Sequence, residues 1–202
     1  MEHFQNILFN ATLLIAMGFA YVRIFRLFRQ HQIARQLFNG MLFGAVAVIV
    51  MLFPLKLMPG LIFDSRSIII SIAGLFGGPI TAAVSVLIAA AYRIHHGGIG
   101  AAPGALVIFC SGGIGVGYYY LRNKYPATIK PLYVYLFGLI IHIVMLLCMF
   151  TLPLDVALKT LESISIPVMI VYPFVSFIVI YLLLDKESKI KEPISKLLAS
   201  FC

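Results

Sequence analysis

A chain of 202 residues that is 62% hydrophobic and 11% charged, with a mean hydropathy of +1.05, has too little polar surface to cover a water-exposed globule. Lipid must therefore be the solvent for most of it, which argues against a soluble enzyme. The net charge of +8 lies in short segments between apolar runs, with no basic stripe interleaved with stacking aromatics. It reads as membrane topology and not as a nucleic-acid surface.

Six apolar segments follow one another at 6–25, 37–58, 67–92, 101–121, 131–152 and 163–184. Each is close to the ~20 residues a helix needs to cross ~30 Å of hydrocarbon. The expected fold is all-α: a polytopic bundle of 5–6 transmembrane helices with a broken or re-entrant segment around 74–80. Residues 1–185 form the membrane domain, and 186–202 a cytoplasmic tail or linker. The run from Ile7 to Phe19 follows an acidic start and lacks a small-x-small cleavage site, so it reads as a retained membrane segment. Cys110, Cys148 and Cys202 have no metal-like spacing, and the first two read as small packing residues.

The loops carry the orientation. The first holds Arg23, Arg26, Arg29 and Arg35, the fourth Arg122, Lys124 and Lys130, and the fifth Asp155, Lys159 and Glu162. Positive-inside bias puts loops one and four in the cytoplasm, yet three segments separate them. The conflict disappears if the segment broken by Gly77-Gly78-Pro79 fails to cross as one straight helix. An N-inside layout of six helices with a basic outer loop is the rival. Pro59 and Gly60 mark a second hinge, and Pro167 and Pro173 are expected to kink the last helix.

Two arginines beside these breaks are the sharpest points. A straight helix from Arg66 to Arg93 would span about 40 Å and separate them. A break at Gly78-Pro79 returns both to one face, where they form a fork for a small carboxylate or phosphate. The competing reading lets both snorkel to headgroups. Asp64 is a turn residue or the ion-pair partner of Arg66. Gly97, Gly98, Gly100 and Gly104 either offer backbone N–H groups to an anion or pack helices closely; close packing is favoured for Gly113 and Gly117. His95 and His96 lack a third ligand, so no metal site is expected. His142, inside an apolar run, reads as an interhelical hydrogen bond. No catalytic constellation and no cofactor site is legible.

The stretch NGMLFGAVAVIVMLFPLKLMPGLIFDSRSIIISIAGLFGGPITAAVSVLIAAAYRIHHGGIGAAPG resembles the bacterial five-transmembrane receptor domain of the LytS–YhcK type. Its PG-x3-D-x-R, GGP and R-x3-GG-x-G elements stand here in the family's order, and the resemblance covers roughly residues 10–185. It implies a signal-input module in the bacterial cytoplasmic (inner) membrane that binds a small, anionic ligand through Arg66 and Arg93. It also implies an attached cytoplasmic output domain, a diguanylate cyclase or a histidine kinase, with a homodimer formed through that output. The run IPVMIVYPFVSF is closer to the cyclase branch. Pyruvate-sensing members carry a Cys and a Ser where this chain has Gly104 and Val107, which speaks against pyruvate. A solute-binding subunit of a transporter is the alternative that the broken helix also suits.

Overall fold

The computed structural model describes residues 2–53, 55–58 and 61–199. Six helices account for most of them: α1 (Glu2–Leu27), α2 (Gln32–Leu52), α3 (Arg66–His96), α4 (Ala101–Lys124), α5 (Pro131–Cys148) and α6 (Leu154–Ala199). Five of these, α2 to α6, are long and apolar enough to cross a membrane. Large apolar side chains such as Ile166, Ile170 and Phe174 on α6 stand well exposed, as expected where the solvent is hydrocarbon. The fold is the expected all-α polytopic bundle.

The element that organises it is α3. At Gly78 the backbone takes φ +77° and ψ −168°, a region that only glycine occupies without strain. Pro79 follows, where its fixed φ suits the first turn of a new helix and its missing N–H costs nothing. The helix thus breaks into halves, 66–77 of about 18 Å and 79–96 of about 27 Å, folded back on each other. The tip is clipped to the start of α2: Gln36 Nε2 donates to the Gly77 carbonyl at 3.0 Å. The Thr81 hydroxyl lies 2.9 Å from the Gln36 carbonyl and 3.0 Å from that of Gly77, and shares its proton between them. Every residue from Arg66 to Gly78 is buried. A half-helix buried all round lies at the centre of the bundle, with its polar backbone satisfied internally.

This geometry resolves the charge conflict. The tip of α3, the start of α2 and Tyr119 near the end of α4 lie together, so loops one and four share one end of the bundle. At that end Arg122 pairs with Glu187 of α6 at 3.3 Å. The other end gathers Asp64, Arg66, Arg93 and the start of α4.

Several expectations need correction. The segment 37–58 is not helical throughout: α2 stops at Leu52, and β1 (Leu55–Met58) pairs antiparallel with β2 (Leu61–Phe63). Phe53 precedes a proline, which pushes it out of the helical region, to φ −120° and ψ 57°. Pro59 and Gly60, the second hinge, lie outside the described residues, as does Cys202. The fifth loop is shorter than expected, because Asp155, Lys159 and Glu162 belong to the first turns of α6. That helix runs as one element from Leu154 through Pro167 and Pro173 to Ala199. Gly113 and Gly117 face open space. Close packing falls instead to Gly74 and Gly115, where a Cβ on Gly74 would come within 2.8 Å of the α4 backbone.

Candidate functional site

At the end opposite the basic loops a small cavity of about 20 Å³ is lined by Asp64, Arg66, Ser67, Arg93, Gly100, Pro103, Gly104, Val107, Met145 and Met149. The fold-back of α3 supplies it from both ends: Arg66 opens the first half, and Arg93 lies one turn from the close of the second. The chain separation that a straight helix would have turned into about 40 Å is cancelled by the break at Gly78.

Asp64 does two things. Its Oδ1 accepts from the Arg66 backbone N–H at 2.9 Å, satisfying an orphan donor of the first turn of α3, and lies 3.4 Å from Arg66 Nε. The turn role and the ion-pair role weighed from sequence are both fulfilled. Its second oxygen, Oδ2, is buried with no hydrogen-bond partner among the described residues. Burial pushes the Asp64 carboxyl above the usual carboxylate range, against the pull of the Arg66 charge, the Arg66 N–H and the Arg93 charge. Arg66 also reaches the Met51 sulfur through Nη1 at 3.2 Å, tying the site to the end of α2.

Arg93 is 1% exposed. Nη1 donates to the Gly97 carbonyl at 3.0 Å, while Nε has no partner among the described residues. It can lie there only because α4 carries a glycine opposite: a Cβ on Gly104 would sit 2.6 Å from Arg93 Nε. Two guanidinium groups therefore face a cavity whose lining holds one carboxylate, Asp64. A positive charge held in low dielectric without full compensation is costly, and the site gains most from an anion. Neither arginine snorkels to the lipid.

The glycines divide. Gly100 lines the cavity. Gly97 and Gly98, with φ +69° and +82°, instead make the tight turn from α3 to α4, and the Gly97 N–H is already given to the Ile94 carbonyl. They position the site without lining it. His95 and His96 are exposed beside the cavity, not within it.

Sequence reading missed Ser67, Pro103, Met145 and Met149, because nothing in their spacing marks them. Ser67 matters most. Its hydroxyl is 3.5 Å from His142 Nε2, and His142 Nδ1 is 2.7 Å from the Gly138 carbonyl. A carbonyl cannot donate, so Nδ1 carries a proton and gives it to the Gly138 carbonyl, while Nε2 faces the Ser67 hydroxyl. The ring of His142 meets Tyr172 of α6 edge-on at 5.2 Å between centroids. The expected interhelical hydrogen bond of His142 is thus present, and it joins the cavity wall to α5 and α6.

The described chain is a multi-pass membrane bundle with a buried cationic cavity at one end and a long helix leaving the other. The family model described as 5TMR of 5TMR-LYT matches residues 20–186, most of the chain, and the chain belongs to this family of sensor domains. No curated protein and no solved structure shows a significant match to it.

Proposed function

We propose that this domain is a membrane-embedded receptor in the bacterial inner membrane that binds a small anion, a carboxylate in the first instance, between Arg66 and Arg93. It regulates a cytoplasmic output domain, a diguanylate cyclase or a histidine kinase, attached beyond α6, and dimerises through that output. The observation that carries this reading is the buried pairing of two guanidinium groups against a single carboxylate. By the positive-inside rule the basic end faces the cytoplasm and the arginine cavity the opposite side.

A cavity of about 20 Å³ takes no more than a water molecule or two, so a carboxylate enters only if the ends of α3, α4 and α5 part. That parting is the two-state element: the ligand favours the open packing in proportion to its differential affinity. Ser67, His142 and Tyr172 pass the change in the cavity wall to α6. The test is a thermal-shift screen of the purified protein against small carboxylates, with Arg66→Ala and Arg93→Ala as controls. A true ligand at about 100 times its dissociation constant stabilises wild type by about 2.7 kcal/mol and leaves both variants unmoved. Equal stabilisation of all three proteins sinks the arginine site.

The broken α3 also suits a solute-binding transport subunit. A cyclase or kinase reading frame joined to this one favours the receptor, and a neighbouring ATPase with a membrane coupler favours transport.

A further inference from the structure

The basic end carries a second concavity, unrelated to the arginine cavity. It is a groove of about 580 Å³ between α1 and α6, lined by Phe19, Ala20, Val22, Arg23, Arg26 and Lys186. Three of the six are cations and none is an acid. Glu187, next to Lys186, turns inward to Arg122 and takes no part in the lining. The Lys186 ammonium sits 3.5 Å from the centre of the Phe19 ring, which holds it over the groove by cation–π attraction. Arg23 and Arg26 are one helical turn apart on α1, and both are exposed.

On α1 the lining is two-toned along the helix axis. Phe19, Ala20 and Val22 form an apolar floor, Arg23 and Arg26 form a cationic rim at its end, and the Lys186 ammonium reaches over the floor at Phe19. Free phosphate would satisfy the rim and leave the floor bare. A molecule that carries a phosphodiester above acyl chains satisfies both. We infer that this groove binds the headgroup of one anionic phospholipid from the leaflet at the basic end, with its chains along α1 and α6.

Native mass spectrometry of the full chain in neutral detergent tests this directly, with phosphatidylglycerol and phosphatidylcholine of identical chains. Wild type should retain one phosphatidylglycerol with roughly tenfold preference or more over phosphatidylcholine, and each of Arg23→Gln, Arg26→Gln and Lys186→Gln should weaken it roughly fivefold. The combined Arg23→Lys, Arg26→Lys variant keeps the charge and should keep the lipid, which separates lost binding from lost folding. Arg29→Gln, Lys124→Gln and Lys130→Gln together remove as much charge outside the groove and should leave occupancy unchanged. If that control triple weakens binding as much as Arg23→Gln, Arg26→Gln and Lys186→Gln combined in one chain, the attraction is diffuse and the site does not exist. Displacement of the lipid by millimolar inorganic phosphate would overturn the assignment to a phospholipid, as would equal retention of both lipids.

Discussion

Arg93 is the residue on which site and stability pull in opposite directions. It is fully buried, its Nε is unpartnered among the described residues, and the cavity that it lines holds a single carboxylate, Asp64. Asp64 keeps Arg66 as its ion-pair partner when Arg93 is replaced, so the substitution removes the cation in excess and leaves no buried carboxylate uncompensated. Arg93→Met is therefore expected to melt no lower than wild type without ligand. Its affinity for the ligand found in the carboxylate screen should fall by at least about 30-fold, corresponding to the roughly 2 kcal/mol lost when one partner of a buried charge pair is removed. Gly104→Ala tests the same guanidinium through its neighbour, because the added Cβ meets Arg93 Nε at 2.6 Å. It should weaken binding roughly tenfold, or about 1.4 kcal/mol. Gly113→Ala, which points into open space on the same helix, should bind as wild type does. Asp64 sets the pH dependence. Burial already holds its carboxyl above the usual range, and a bound anion raises it further, so binding takes up a proton. Affinity for a sulfonate, whose own charge is constant, should rise as pH falls from the liganded to the unliganded pKa of Asp64 and level off below it. Titration calorimetry across a pH series reads this slope, and Asp64→Asn should flatten it.

Among the elements, α3 was the most legible in the sequence, and its legibility had a physical source. Gly77-Gly78-Pro79 combines a residue that alone tolerates φ +77° and ψ −168° with one that can only begin the next helix, and two arginines flank the break. Gly78→Ala should lower the melting temperature by the equivalent of about 1–3 kcal/mol, since the strained backbone must be held and the Cβ lies 3.2 Å from Tyr119. Pro79→Ala, which leaves Gly78 its freedom, should cost less. The partners of the break were not legible. Gln36 and Thr81 clip the tip through backbone carbonyls 41 and 45 residues away, a relation no local pattern encodes. Ser67 and Met149 were hidden for the same reason, since they reach the cavity only after α3 has folded back and α5 has docked. The β-hairpin was missed because LKLM and LIF are as apolar as the helix before them, and periodicity cannot separate short runs of this kind.

The whole molecule has two ends joined by α6. At the cavity end His142 couples Ser67 to Tyr172, and at the basic end Arg122 grips Glu187 before α6 continues outward. With 46 residues, α6 is about 69 Å long. That is roughly twice the hydrocarbon thickness of ~30 Å, so a large part of the helix extends beyond the membrane. All of this depends on α3 returning to the end from which it starts. In a background with Cys110, Cys148 and Cys202 replaced by Ser, single cysteines at Ser65, His95 and Lys124 can be labelled in intact and in opened cells with a membrane-impermeant thiol reagent. Ser65→Cys and His95→Cys should react from the same side, and Lys124→Cys from the other. Reaction of positions 65 and 95 from opposite sides would mean that α3 crosses once, that its two arginines never meet, and that the cavity does not exist.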